Sequence, residues 1–306
     1  MIGIAMVTLR PGQMGGSETY ARALLRALEE HGELDYRQLV RGDADLEGLD
    51  AIHYPFTIAY PRVKVPAAVT VHDVLHHEAL PSPRRRLRRW TYDRSARRAQ
   101  LVIVPSQFVR RRANESVGLP LARIRAIHHG VDHDRFHPGE EEREGFLFYP
   151  AEPWPHKNHR RLFEAFARVR PERPGLELVL TGTGFGELPP GVRSVGRVDW
   201  HELPSLYRRS GALVFPSLYE GFGLPPLEAM ACGCPVACST AGSLPEVCGE
   251  AAVYFDPTSV EGMVRAIREA LKGELVPQGL EQSARFTWAQ SARHHEAVYR
   301  ELSEGG

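Results

Sequence analysis

The sequence predicts an α/β protein made of two doubly wound parallel-sheet domains. Three observations carry that prediction. Short apolar runs suited to buried strands alternate with segments whose apolar residues recur at helical spacing, the order expected when helices wrap parallel sheets. The 306 residues, 42% of them apolar, are enough for two cores of ordinary domain size. A composition break at Phe136-His137-Pro138-Gly139, followed by Glu140-Glu141-Glu142-Arg143-Glu144-Gly145, marks a linker, because an acidic run with proline and glycine buries little. Residues 1–138 therefore form the first half.

Strands are predicted at 2–7, 36–40, 51–54, 67–71, 101–104 and 124–127, then at 146–149, 176–181, 192–195, 212–215, 235–238 and 252–254. Helices are predicted at 17–31, 84–99, 106–116, 159–169, 202–209, 226–232, 259–272 and 288–302. The opening run Ile2 to Leu9 is too short to cross a bilayer and has no basic leader, so it reads as a first strand rather than an export signal. Gly15-Gly16 makes a turn, and Ser17 is placed to cap the helix that follows. The strand 67–71 ends in His72-Asp73, polar residues at a carboxyl end, where doubly wound sheets bind ligands. Leu162, Phe163, Phe166 and Val169 give the helix from 159 its apolar stripe.

Lysine is scarce: Lys64, Lys157 and Lys272 stand against 35 arginines. Lys157 falls in the loop between the strand 146–149 and the helix from 159, a place where a cation either faces bound phosphate or is simply solvated. The stretch most telling for chemistry is Leu218 to Ala231. It sets Glu220 and Glu228 eight residues apart across a glycine turn, with Pro225 and Pro226 opening a helix whose first turn holds Glu228. Backbone N–H groups of Phe222, Gly223 and Leu224 lie near the positive end of that helix, a seat for a diphosphate or a ring of hydroxyls.

This Glu-x7-Glu motif, with Gly-Phe-Gly-Leu-Pro inside it and Gly233-Cys234-Pro235-Val236 after it, resembles the donor site of retaining GT-B glycosyltransferases of family 4. The likeness extends through Gly15-Gly16-Ser17-Glu18, Thr70-Val71-His72-Asp73, Val104 to Phe108, Gly130-Val131-Asp132, Lys157-Asn158, Gly196-Arg197-Val198 and Gly242 to Val247. The resemblance implies a cleft between two Rossmann-like domains, the second spanning 139–287, with a last helix at 288–306 packing back toward the first. It implies that Glu228 binds ribose hydroxyls, Glu220 with the N–H groups of Phe222, Gly223 and Leu224 holds the donor sugar, and Lys157 meets the phosphates. Val198 would lie near the base, Gly15 and Gly16 near the diphosphate, and His72 at the transferring sugar. Two positions depart from the pattern: His129 replaces the usual asparagine, and Glu152 stands where the family has an arginine, a carboxylate that would repel phosphate.

The expected reaction moves a hexose from a nucleotide sugar, GDP-mannose ahead of UDP-glucose, to a glycan, lipid-linked or small-molecule acceptor. No metal or other cofactor is expected, since Asp43-Ala44-Asp45 and Asp132-His133-Asp134 read as solvated loop acids rather than strand-end metal ligands. Cys232, Cys234, Cys238 and Cys248 lack zinc spacing and read as buried thiols of a cytoplasmic protein. Net charge is zero, which gives no argument for nucleic acid, but thirteen arginines against two acids between Pro81 and Arg125 suit an anionic membrane surface. Leu87 and Trp90 would sit at that interface, within the span Arg84 to Arg112. Two competing readings are a decayed scaffold that binds through this basic tract and a sugar-nucleotide epimerase. A decayed scaffold has no reason to retain Lys157, Glu220 and Glu228 together.

Overall fold

A computed structural model describes residues 1–10, 15–43, 46–78 and 83–304. The chain forms two compact units, Met1–Gly130 with Phe286–Gly306, and Val131–Arg285.

Unit 1 holds strands β1 (Ile2–Ala5), β2 (Tyr36–Leu39), β3 (Ala51–Tyr54), β4 (Ala67–Thr70), β5 (Leu101–Val104) and β6 (Ile124–Ala126), all parallel, in the order β2-β1-β3-β4-β5-β6. Helices α1 (Gly16–His31), α2 (Leu75–Glu78), α3 (Pro83–Arg98) and α4 (Gln107–Val117) connect them. Unit 2 repeats the plan with β7 (Phe146–Pro150), β8 (Glu177–Thr181), β9 (Val192–Ser194), β10 (Ala212–Phe215), β11 (Val236–Ser239) and β12 (Val253–Phe255), in the order β12-β11-β10-β7-β8-β9. Its helices are α5 (His159–Val169), α6 (Leu203–Arg209), α7 (Leu224–Ala231), α8 (Leu244–Cys248), α9 (Val260–Ala270) and α10 (Val276–Ala284). The last helix, α11 (Trp288–Glu304), returns to unit 1 and packs on α1, β3 and β4.

All twelve predicted strands are present, displaced at their ends by no more than two residues. The central strands β1, β3, β5, β10 and β11 are buried along their whole length, because helices cover both faces of each sheet. That double coverage is why β1, β5 and β10 read as unbroken apolar runs, whereas β3 and β11 carry the buried polar residues His53 and Ser239. Helices α2, α8 and α10 were not predicted: the first two are too short to show periodicity, and α10 carries Pro277 and Gly279. Gly279 earns its place in packing, since a Cβ there would press on Met230 Cγ at 3.3 Å.

The sequence places the domain change at 138–139 and the return at 287–288, whereas the structure puts them at Gly130–Val131 and Arg285–Phe286. Residues after Gly130 are claimed by unit 2: Phe136 packs edge-on against Tyr207, and the Arg135 guanidinium lies 3.0 Å from the Trp200 ring centroid. The acidic run is pinned as well, with Glu141 held by Arg208 at 2.7 Å and Glu144 by Arg209 at 2.6 Å. Gly130 is the crossing point because any Cβ there would fall 2.2 Å from the backbone nitrogen of Trp288. At α1 the cap is Gly15, with φ of 51°, rather than Ser17, which lies inside the first turn.

A buried polar network ties α11 to the sheet of unit 1. Tyr20 Oη lies 3.0 Å from Thr70 Oγ1 and 2.8 Å from His295 Nε2. His53 bridges Thr70, at 2.8 Å, to Tyr299 Oη, at 2.7 Å. Burial pushes His295 down to about 4 and holds His53 and His129 well below the ordinary 6.5. The unfolded chain thus binds more protons below that value, so the stability present above pH 6.5 is lost as the pH falls toward 4. For His295 alone the loss amounts to about 3 kcal/mol. We expect the thermal midpoint to drop steeply on acidification through this window, and His295→Gln to flatten the slope; an unaltered slope in that variant would contradict the linkage.

Candidate functional site

In unit 2 the parallel strands are added on both sides of β7, with β8 and β9 on one side and β10 to β12 on the other. The chain therefore reverses its winding between β7 and β10, where loops leaving adjacent carboxyl ends diverge and open a crevice. Lys157 lies in the loop after β7, and Glu220, Gly221, Phe222 and Gly223 lie in the loop after β10. The switch point brings the two together: Lys157 Nζ is 2.6 Å from Glu220 Oε1, each side chain less than one-fifth exposed.

Several hydrogen bonds hold these loops in register. The Leu218 N–H donates to His156 O at 2.7 Å, and Tyr149 Oη donates to Lys157 O at 2.9 Å. Asn158 adopts a left-handed φ of 61°, and its side-chain amide donates to Pro216 O and Pro257 O. Behind Glu220, Ser243 Oγ donates to the carbonyls of Glu220 and Phe222 at 3.1 and 2.7 Å. Gly242 allows the close approach, because a Cβ there would meet Glu220 O at 2.4 Å.

Helix α7 starts at Leu224, two residues before the predicted start, capped by Gly223 at φ 107°. Its prolines occupy positions where an N–H has no intrahelical partner, so they cost nothing there. Glu228 consequently sits in the second turn rather than the first and turns inward. Tyr207 Oη donates to its Oε2 at 3.0 Å, and burial raises the carboxyl to about 7 against the smaller opposing effects of Tyr207 and Arg135. Glu228 is thus poised to change charge near neutrality.

The remaining predicted residues fall elsewhere. Val198 is half-buried in the loop after β9, beside the Gly182–Gly196 bridge. Glu152 Oε2 accepts from the Thr183 N–H at 3.1 Å, so its charge braces the loop after β8. His72 and the Gly15-Gly16 turn belong to unit 1. His72 Nε2 lies 2.9 Å from Pro55 O, burial lowers its pKa, and it lines a cavity of about 790 Å³ at the carboxyl ends of β1, β2, β3 and β4. That cavity straddles unit 1's own switch point, between β1 and β3. Around Gly15 and Gly16 an added Cβ would meet no described atom within 4 Å.

Of the two Asp-x-Asp motifs, Asp43 accepts from the Val40 N–H at 2.6 Å and lines the cavity, while Asp45 lies outside the described residues. Asp132 pairs with Arg135 at 3.4 Å. All four cysteines are buried and free. In the basic tract, Arg97, Arg110 and Arg123 donate to backbone carbonyls and Arg125 pairs with Glu301, so these arginines hold the fold together. Leu87 and Trp90, 65% and 59% exposed, share α3 with the exposed Arg86, Arg88, Arg89 and Arg94; the side chains of Arg84 and Arg85 lie outside the described residues.

Residues 131–290 match the family model described as glycosyl transferases group 1, and residues 33–135 match glycosyltransferase family 4. The chain belongs to the glycosyl transferases group 1 family. It is 36% identical to O-antigen chain mannosyltransferase B of Escherichia coli over 163 residues, 47% of this chain and 43% of that protein. It is 30% identical to O-antigen chain mannosyltransferase RfbU of Salmonella typhimurium over 184 residues, 57% of this chain and 52% of that protein. The chain spans about half the length of these curated relatives, or less. Sucrose-phosphate synthase from Thermosynechococcus elongatus shares the fold at a TM-score of 0.82 and 20% identity, covering 100% of this chain and 99% of that one. HepE of Anabaena, in complex with UDP-glucose, does so at 0.75 and 18% identity, covering 98% and 99%. The architecture is therefore that of GT-B glycosyltransferases.

Sequence reasoning missed Tyr207 and Arg135, which act on Glu228 from segments distant in sequence that only contact reveals, and Tyr149, which holds the Lys157 carbonyl from the strand just before it. Ser243 was within reach, because the quoted Gly242-Ser243-Leu244-Pro245 segment is the brace beneath Glu220. We expect Gly242→Ala, which forces a Cβ against the Glu220 backbone at a φ of 69°, to displace that loop and lower stability by about 1–3 kcal/mol, measured by chemical denaturation. A neutral effect would deny the brace its role.

Proposed function

We propose that this chain transfers a hexose from a nucleoside-diphosphate sugar to a glycan, lipid-linked or small-molecule acceptor, with retention of anomeric configuration and no divalent ion on the diphosphate. The observation that carries this reading is the Lys157–Glu220 pair at the switch point, beside the glycine-capped start of α7. Breaking a sugar–phosphate bond builds positive charge on the anomeric carbon and negative charge on the departing diphosphate. A fixed ammonium and backbone N–H donors at those positions lower the barrier without reorganising.

In this reading Lys157, oriented by Glu220, meets the diphosphate, and the N–H groups of Phe222, Gly223 and Leu224 with the Glu220 carboxylate hold the sugar hydroxyls. Glu228 accepts from the ribose hydroxyls, and Val198 lies against the base. Unit 1 contributes His72 and the Gly15-Gly16 backbone, and its cavity takes the acceptor. Retention follows a front-face course in which the leaving phosphate helps deprotonate the acceptor. GDP-mannose leads as donor, supported by the mannosyltransferase names of the relatives, with UDP-glucose second. The exposed face of α3 suits peripheral contact with an anionic membrane from the cytoplasmic side. A basic scaffold without catalysis is disfavoured by the intact Lys157–Glu220 pair.

A thermal-shift screen over GDP, UDP, dTDP and ADP sugars identifies the donor, a ligand at a hundred times its Kd giving about 2.7 kcal/mol of stabilisation. Lys157→Ala and Glu220→Gln are each expected to lower kcat by about a hundredfold or more with the fold intact; near-normal rates in both would overturn the site. Proton NMR of the product should show the donor's anomeric configuration, and the rate should not change when Mg²⁺ and Mn²⁺ are withheld. Because the Glu228 carboxyl titrates at about 7 and its ionised form is the better acceptor, nucleotide affinity should weaken as the pH falls through that value. In Glu228→Gln this component of the pH dependence should vanish; a profile identical to wild type would refute the assignment.

A further inference from the structure

Three metal-ligating side chains meet in unit 1. His76 and His77 are neighbours in α2, Asp93 lies on α3, and one ligating atom from each falls within 4.8 Å of the others. Asp93 Oδ1 is 2.8 Å from His77 Nε2 and 3.5 Å from His76 Nε2. Both imidazoles are enclosed, at 6% and 4% exposure, and the carboxylate is 15% exposed. The two rings lie 4.6 Å apart, with Tyr92 edge-on to His76 at 5.3 Å.

A purely structural role accounts for only part of this arrangement. The His77–Asp93 hydrogen bond suffices to tie α2 to α3. His76 reaches the same carboxylate only at ion-pair distance: its Nε2 is buried, has no hydrogen-bond partner, and stands 3.5 Å from a carboxylate oxygen already engaged by His77. An imidazole nitrogen enclosed without a partner is costly in a protein interior, and a metal ion removes the cost by accepting its lone pair. Two imidazole nitrogens and one carboxylate oxygen form a borderline donor set that favours zinc over the oxygen-seeking magnesium and calcium. Tetrahedral zinc with bonds of about 2.0–2.1 Å sets its ligand atoms roughly 3.3 Å apart. The two separations to Asp93 Oδ1, 2.8 and 3.5 Å, bracket that value, and the two imidazole ligand atoms lie within 4.8 Å of each other.

We propose that His76, His77 and Asp93 form a zinc site that clamps α2 to α3, with water completing the coordination. The chain enters α2 directly after His72-Asp73, where Asp73 Oδ1 accepts the Leu75 N–H at 2.9 Å. Tyr92 and Arg88, one residue before Asp93 and five before it on α3, line the same cavity as His72. The ion thus fixes one wall of that cavity. Its binding is measured without reference to any transferase activity.

Wild-type protein stripped with a chelator is titrated with Co²⁺, then with Zn²⁺. One equivalent of Co²⁺ per chain should bind with visible d–d bands of a low-coordinate nitrogen/oxygen site, be displaced by Zn²⁺, and raise the thermal midpoint. His76→Ala and Asp93→Asn should each weaken binding at least tenfold and lose the bands, while Mg²⁺ produces no shift in any of these proteins. X-ray absorption at the zinc edge of the wild type should report two imidazoles and no sulfur, a readout that does not depend on how the variants fold. Absence of bands in the wild type, sulfur in the zinc shell, or unweakened binding by a folded His76→Ala protein would overturn the proposal.

Discussion

The ion pair between Lys157 and Glu220 depends on the reversal of winding between β7 and β10. Residues sixty-three apart in sequence can hold a 2.6 Å contact only because two parallel strands lie side by side and release their loops at the same end. Each loop is then anchored independently of the pair, one through Asn158 and Tyr149, the other through Ser243 and Gly242. The charges are therefore held in place by backbone and neutral side chains. Such preorganisation is what makes an ammonium effective against developing phosphate charge, since little energy is spent on moving it.

Unit 1 is closed by the opposite end of the chain. Helix α11 supplies His295 and Tyr299 to a buried network that also draws on α1, β3 and β4, and Glu296 accepts from the N–H groups of Glu33 and Leu34 and from Tyr36. Buried polar groups are tolerable when each finds a partner, and a network of this kind specifies one docking position for the helix. The crossing at Gly130 belongs to the same arrangement, because only a residue without a side chain passes the Thr287–Trp288 backbone so closely.

The two carboxylates of the Glu-x7-Glu motif end in different electrostatic settings. Glu220 faces a lysine near the surface, whereas Glu228 is buried against Tyr207 and Arg135 and raised to about 7. Spacing along the chain does not distinguish them; depth does. Glu152 illustrates the same point, for its carboxylate accepts from the Thr183 N–H in the loop after β8.

Strand positions, the two-sheet plan and the loops bearing Lys157 and Glu220 were readable from sequence, because apolar runs, helical periodicity and glycine or proline punctuation are local properties of the chain. The family motifs named the residues at the switch point for the same reason. Tertiary structure alone decided the domain boundary, since Phe136 and the acidic run are claimed by α6 residues that no local pattern announces. It alone decided the state of Glu228, the brace beneath Glu220 and the meeting of His76, His77 and Asp93, because burial and contact between distant segments arise only when the chain has closed on itself.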